Sequence, residues 1–235
     1  TDVQNITPDM VAAQIDAVYT DIPPAAVKIG MVSSAELICT IADRLEAHHA
    51  RHIVLDPVMV ATSGAKLIDD DAITALTERL FPLAEVITPN IPETEVLLDL
   101  IAHRGASLDP AKWAEDTDRE STRIVSDTAM EDAGRTVSEH YGCAVLVKGG
   151  HGVADTSDLL YADGVATWIH GVRVDNPNTH GTGCTLSSAI ASNLAKGEAL
   201  PDAIRHAKDY LTGALGAQLN LGHGSGPMDH AWHWR

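Results

Sequence analysis

The sequence has few of the features that mark nucleic-acid binding or membrane-spanning proteins. It contains 16 basic residues against 33 acidic ones, and its formal net charge at pH 7 is −17. No cluster of Lys or Arg interrupts this acidity, so the chain lacks the basic stripe by which proteins bind nucleic acid. No apolar run approaches the roughly 18 residues of a membrane span. We therefore predict a protein with neither a nucleic-acid partner nor a membrane partner.

Cysteine and phenylalanine are also scarce. The cysteines, Cys39, Cys143 and Cys184, are far apart, odd in number and without a CxxC pair, which predicts a reducing, cytoplasmic location rather than a disulfide framework. A single Phe stands against many small aliphatic residues, which favours helices packed closely on a parallel sheet. The sequence has no GxxxxGK[ST] motif, which excludes a Walker-type kinase.

Strand-like and helix-like apolar patterns alternate along most of the chain. Four apolar runs read as buried strands, and they end at Gly30, Asp56, Thr88 and Lys148. Asp163-Gly164 predicts the turn of a late hairpin, and two helices are predicted after it, at about 182–196 and 201–216. This order predicts an α/β fold, namely a doubly wound, mostly parallel sheet with helices on both faces and a late antiparallel hairpin.

The chain shows no internal repeat and no linker. Its 235 residues suit one domain spanning 1–235. Residues 103–126 are polar and densely charged, and we expect them to form a surface excursion.

Unusual residues stand at the predicted carboxyl ends of the strands, where open α/β sheets bind ligands. Asp56 is the clearest, since an acid that ends an apolar strand is costly to bury without a partner or a role. Asn90 and Glu93 begin a helix, and two interpretations are about equal: a carboxylate that serves Mg²⁺ and its waters, or an ordinary helix cap. Lys148 precedes two glycines and could reach a nucleotide phosphate, although a solvated turn lysine is the simpler interpretation of that residue alone.

The strongest motif is Gly181-Thr182-Gly183-Cys184, which opens a predicted helix. Two glycines allow the backbone to approach a ligand, and the N–H groups at a helix start favour an anion, such as a phosphoryl group in transfer. Cys184 lies in the first turn, where a thiolate is favoured and could accept a proton from a substrate hydroxyl. A buried cysteine beneath a glycine turn is the alternative, and the neighbouring motifs weigh against it.

Together these motifs resemble the hydroxymethylpyrimidine/phosphomethylpyrimidine kinases of thiamine biosynthesis, in the ribokinase-like superfamily. The resemblance covers roughly residues 7–100 and 140–235. Sugar and pyridoxal kinases of the superfamily usually carry Asp at the position of Cys184. The matching segments, in order, are Lys28–Met31, Leu55–Met59, Ala61–Gly64, Ile87–Asn90 with Pro92-Glu93, Val147–His151, Asn178–Cys184 and the tail from Gly226-Pro227.

The resemblance implies two successive phosphorylations of 4-amino-5-hydroxymethyl-2-methylpyrimidine, with ATP as co-substrate and Mg²⁺ as cofactor. It implies Cys184 as the base, and the amides of Gly181, Thr182 and Gly183 as the anion hole. It also implies a homodimer, as is typical of the family. The remaining implied roles are nucleotide and phosphate binding for Asp56, Asn90, Glu93 and Lys148, metal binding through water for Glu93, and a substrate pocket at Gly30, Met31 and Val58.

Family members usually begin with a strand, a Gly-Ser-Asp and Gly-Gly-Ala-Gly loop, and a Gln that contacts the pyrimidine. The chain as given contains none of these. Either the given sequence omits a segment that the protein has, or the protein is a truncated product. We expect the first, because loss of a central strand would expose apolar neighbours and an unpaired edge. Two alternatives stay open. One is a pyridoxal kinase of the same superfamily, and the other is a non-catalytic nucleotide-binding protein.

Overall fold

A six-stranded sheet forms the centre of the structure, a computed structural model. It describes residues 6–32, 34–59, 68, 70–102, 122–150, 156–176, 180–219, 221–224 and 226–234. Most of the predicted excursion at 103–126 therefore lies outside the described residues. So do the segment at 61–64, His151, and Asn178 with Thr179. The strands are β1 (Val27–Ile29), β2 (Ile53–Leu55), β3 (Val86–Ile87), β4 (Ala144–Val147), β5 (Asp158–Ala162) and β6 (Val165–Ile169).

The strands lie side by side in the order in which they occur in the chain. The first four pair in parallel, and β4, β5 and β6 pair antiparallel. The turn between β5 and β6 is Asp163-Gly164, and both residues have positive φ, as two-residue hairpins of the common type require. The predicted late hairpin is thus confirmed.

Helices connect the first four strands, and helices cover both faces of the sheet. Ser34 caps the helix that begins at Ala35, and Ser126 caps the helix that begins at Asp127, each by accepting a hydrogen bond from the backbone N–H three residues later. After the helix Asp70–Ala75 the chain continues as a π-helical stretch (Leu76–Leu80) and a 3₁₀ turn (Phe81–Leu83), where the apolar spacing of Ile73, Leu76 and Leu80 predicts one helix. The helices are α1 (Pro8–Asp21), α2 (Ala35–Ala47), α3 (Asp70–Ala75), α4 (Ile91–Ala102), α5 (Asp127–Tyr141), α6 (Thr182–Ala195) and α7 (Leu200–Gly216).

Alternate residues of the strands face two separate apolar cores. On β2, Ile53 and Leu55 pack with residues of α2, α3, α4 and α5, whereas Val54 packs with residues of α6 and α7. Such alternation follows from the pleat of a strand, and burial on both faces requires the continuous apolar runs seen in the sequence. The doubly wound α/β prediction is confirmed.

The parallel arrangement brings the carboxyl ends of β1 to β4 to one edge of the sheet. Just beyond β4 at this edge, the backbone at Gly149 lies close to the backbone at Ser157. A Cβ added at Gly149 would lie 2.0 Å from the carbonyl oxygen of Ser157. Only glycine fits at this position, immediately after Lys148. Within the described residues, no helix has the length and apolar character needed to cross a membrane.

Candidate active site

A buried ion pair lies at the carboxyl edge of the sheet. Asp56 follows β2 and Lys148 follows β4, and the Lys148 Nζ donates to Asp56 Oδ1 at 2.6 Å. The Thr88 hydroxyl, at the end of the intervening β3, donates to the same oxygen at 3.2 Å. Asp56 is 2% exposed and the Lys148 side chain 15%, so Lys148 is not the solvated turn lysine that its position alone suggests. The partner predicted for Asp56 is thus Lys148, which lies 92 positions away in the sequence.

Asn90 and Glu93 begin α4 with a reciprocal cap. Asn90 Oδ1 accepts from the Glu93 N–H, and Glu93 Oε2 accepts from the Asn90 N–H, both at 2.8 Å. This is the capping arrangement that the sequence offered as an alternative to a metal site. Asn90 also forms an isolated parallel β-bridge with Lys148, and so the cap lies beside the ion pair.

Glu93 is buried as well as capped, which changes its acidity. Removal from water raises the pKa of Glu93 to about 7, and the nearby positive charge of Lys148 opposes this shift. The carboxylate of Asp56 adds to the rise, whereas the N–H groups of Asn90 and Met59 counter it. A carboxyl group poised near neutral pH at this edge can ionise when a cation arrives. The cap and the metal interpretations are therefore compatible.

The glycine turn at the start of α6 faces the ion pair. Gly181 caps the helix with a φ of +85°, a backbone conformation that disfavours side chains. A Cβ added at Gly183 would lie 3.4 Å from Lys148 Nζ and 3.5 Å from Asp56 Oδ2. Cys184, the next residue, is exposed rather than packed beneath the turn. The start of α6, with the exposed Cys184 in its first turn, thus lies next to the Asp56–Lys148 pair.

The residues predicted to form the substrate pocket lie at the same edge. Gly30 and Met31 follow β1, next to β2, and the Met31 side chain is exposed. Val58 follows Asp56 by two residues, and its N–H donates to the Asp56 carbonyl oxygen at 2.9 Å. These three residues therefore lie on the β1–β2 side of the edge, whereas Lys148 lies on the β4 side.

Sequence reasoning missed a second buried ion pair near this edge. Lys208 of α7 donates to Asp158 Oδ2 at 2.5 Å, and Asp158 Oδ1 accepts from the Gly149 N–H at 2.9 Å. The pair thereby ties α7 to the backbone that follows Lys148. A local signal was present in the acid that opens the apolar strand Leu159-Leu160-Tyr161, since an acid at the start of such a strand, like Asp56 at the end of one, is costly to bury without a partner.

Replacing Glu93 by glutamine should flatten the dependence of stability on pH. The wild-type carboxyl has a folded-state pKa of about 7 against 4.5 as its ordinary value, so the unfolded chain releases its proton first as the pH rises. Stability is therefore lost between about pH 4.5 and 7, by an amount on the order of 3 kcal/mol. The glutamine amide oxygen can still accept the Asn90 N–H, so the cap should survive.

Urea unfolding from pH 4 to 8 measures this effect. Glu36, an exposed glutamate in the first turn of α2, supplies the matched control, and Glu36→Gln should keep the wild-type pH dependence. A Glu93→Gln variant whose stability falls with pH as steeply as that of wild type would contradict the assignment.

Solved structures similar to this one include a phosphomethylpyrimidine kinase and pyridoxal kinases. The crystal structure of phosphomethylpyrimidine kinase from Clostridium difficile is 34% identical with a TM-score of 0.71, over 90% of this chain and 78% of the other. Pyridoxal kinase from Staphylococcus aureus, in complex with AMP-PCP and pyridoxal, is 25% identical with a TM-score of 0.78, over 100% and 77%. The chain is thus a phosphotransferase with the ribokinase-like fold.

Sequence relatives narrow this class. The family described as Phosphomethylpyrimidine kinase matches residues 1–229. A hydroxymethylpyrimidine/phosphomethylpyrimidine kinase of Rhizobium meliloti is 42% identical, over 100% of this chain and 81% of that protein. A thiamine biosynthesis bifunctional protein of Geobacter sulfurreducens is 43% identical over 97% of this chain, which spans only 42% of that relative. The chain belongs to the phosphomethylpyrimidine kinase family. The predicted family is confirmed and is favoured over the pyridoxal kinase alternative.

Proposed function

We propose that this chain transfers the γ-phosphoryl group of ATP to the hydroxymethyl group of 4-amino-5-hydroxymethyl-2-methylpyrimidine, and then phosphorylates the monophosphate to the diphosphate. The observation that carries the proposal is the meeting of the Gly181–Cys184 turn with Lys148 and Asp56 at one edge of the sheet. Family membership supports the pyrimidine as substrate. In-line phosphoryl transfer depends mainly on positioning and electrostatic stabilisation, which such an edge can supply.

In the first step, the Cys184 thiolate accepts the proton of the substrate hydroxyl as its oxygen bonds to the γ-phosphorus. The bond from that phosphorus to the bridging oxygen breaks, and ADP leaves with the bond electrons. Backbone N–H groups at Gly181, Thr182 and Gly183 stabilise the charge on the transferring group. Exposure of Cys184 suits this role, because a general base must be accessible to the substrate. Lys148 exchanges Asp56 for a nucleotide phosphate.

Mg²⁺ belongs to this proposal as the companion of ATP. Among the described residues, no three side chains of His, Cys, Asp or Glu converge to hold a metal. This agrees with an ion held mainly by phosphate oxygens and water, since Mg²⁺ dehydrates reluctantly and often takes only one or two carboxylates. Glu93, buried and titrating near neutral pH, fits the role of such a carboxylate. The ion would neutralise phosphate charge.

The family resemblance also supports assembly as a homodimer and a cytoplasmic location, and both remain proposals.

A substrate comparison tests the proposed function. The purified chain is incubated with Mg²⁺, ATP and one of three substrates: hydroxymethylpyrimidine, its monophosphate or pyridoxal. The release of ADP and the formation of the phosphorylated product are both measured. We expect kcat/KM to be highest for the two pyrimidines. A clear preference for pyridoxal would support the alternative kinase. ATP binding without turnover of any of the three would support the non-catalytic alternative instead.

A further inference from the structure

The segment Gly226–Trp234, here called the C-terminal segment, is seated on the last turns of α7. The Asp229 N–H donates to the Ala214 carbonyl oxygen at 3.2 Å, and the Tyr210 hydroxyl donates to the His230 carbonyl oxygen at 3.1 Å. The indole of Trp232 lies against Gly213, where an added Cβ would come within 2.2 Å of two ring atoms. Glycine at 213 is therefore what allows the ring to lie on the helix.

One side chain of this segment reaches the start of α6. Met228 is 6% exposed, and its Cε lies 3.7 Å from the position of a Cβ at Gly181. Gly181 is the residue with positive φ that caps the helix carrying Cys184. A buried, flexible thioether thus fills the space against the residue whose backbone conformation sets the direction of the turn.

Residues that precede the glycine turn form hydrogen bonds with residues at the C-terminal end of α7. Asn176 Nδ2 donates to the Leu215 carbonyl oxygen at 2.8 Å, and Gln218 Nε2 donates to the Asp175 carbonyl oxygen at 2.9 Å. The C-terminal end of α7 therefore contacts both the residues that precede the glycine turn and the C-terminal segment that packs against this turn.

We propose that Met228 is a positioning residue for phosphoryl transfer: the C-terminal segment, anchored by Trp232 on Gly213, holds Gly181 in place and so aligns the anion-binding N–H groups and Cys184. This inference rests on the proposed function of the turn. Stabilisation by fixed donors requires them to be in place before reaction, and a misplacement of about 1 Å can lower a rate about 100-fold.

The test compares variants along one segment. Met228→Ala and Trp232→Ala should lower kcat about 10- to 100-fold with a smaller change in KM for ATP. Met228→Leu, similar in volume, should restore most of the activity. Trp234, 84% exposed and two residues beyond the anchor, supplies the control, and Trp234→Ala should retain wild-type kcat. A kcat for Met228→Ala within about twofold of that of Trp234→Ala would overturn the proposal.

A second measurement separates this inference from the proposed function. The alkylation rate of Cys184 by iodoacetamide, in a Cys39→Ser background, reports the geometry of the helix start without any turnover. It should change in Met228→Ala and Trp232→Ala but not in Trp234→Ala, and Gly213→Ala should add nothing once Trp232 is removed. Wild-type protein without kinase activity would refute the proposed function, whereas an unchanged alkylation rate in Met228→Ala would refute the positioning role.

Discussion

Replacing Cys184 by alanine should lower kcat for the hydroxymethyl substrate by about two to four orders of magnitude, which is the typical contribution of a positioned general base to the rate. Stability should hardly change, because Cys184 is exposed and its loss leaves no cavity. ATP binding should also persist, since the N–H groups of the glycine turn belong to the backbone. Initial rates and thermal unfolding of the same variant measure both effects.

The second phosphorylation provides an internal control for this role. Its acceptor is a phosphate oxygen, and a phosphate monoester with a pKa near 6 has already lost its protons at pH 7.5. That step needs no base, so Cys184→Ala should slow it much less than the first. Equal losses in both steps would indicate that Cys184 positions the substrate rather than accepting its proton. Normal turnover in both would remove Cys184 from the mechanism.

Replacing Lys148 by methionine should weaken both the fold and the use of ATP. The change leaves the Asp56 carboxylate, 2% exposed, without its cation, and breaking a buried ion pair in this way costs about 3–5 kcal/mol. Loss of a charged donor to the nucleotide phosphates should raise KM for ATP about 10- to 100-fold, with a smaller effect on the pyrimidine. Denaturant unfolding and steady-state kinetics measure the two consequences.

A double variant separates these two effects. Lys148→Met combined with Asp56→Asn removes the unpaired charge, so stability should recover in part while KM for ATP stays high. Lys196→Met, an exposed lysine after α6, should match wild type in both respects. If Lys148→Met unfolds like Lys196→Met and keeps the wild-type KM, Lys148 is neither a structural partner of Asp56 nor a nucleotide ligand.

Local periodicity was enough to predict the strands and helices around the site. The apolar runs ending at Gly30, Asp56, Thr88 and Lys148 are strands or strand ends in the structure, because burial on both faces leaves a continuous apolar signal. The π-helical stretch Leu76–Leu80 was not predicted, since its apolar spacing differs little from that of an α-helix.

Partners distant in the chain could not be predicted in the same way. The contact of Lys148 with Asp56 depends on strand order, and the packing of Met228 near Gly181 depends on where α7 ends. Glu93 shows the limit clearly. Its capping role is a spacing of three residues and can be read locally, whereas its burial and its pKa near 7 arise from strands elsewhere in the sequence.

The mutual neutralisation of Lys148 and Asp56 bears on how fast a nucleotide can arrive. An approaching polyphosphate meets a pair whose charges cancel, on a chain with a net charge of −17. The long-range field of the chain therefore repels anions instead of steering them. Added salt screens charges beyond roughly 8–10 Å, so the association rate of an ATP analogue should rise with ionic strength. Under the proposed function, capture then depends on encounters at short range, where Lys148 would leave the Asp56 carboxylate and bind a phosphate.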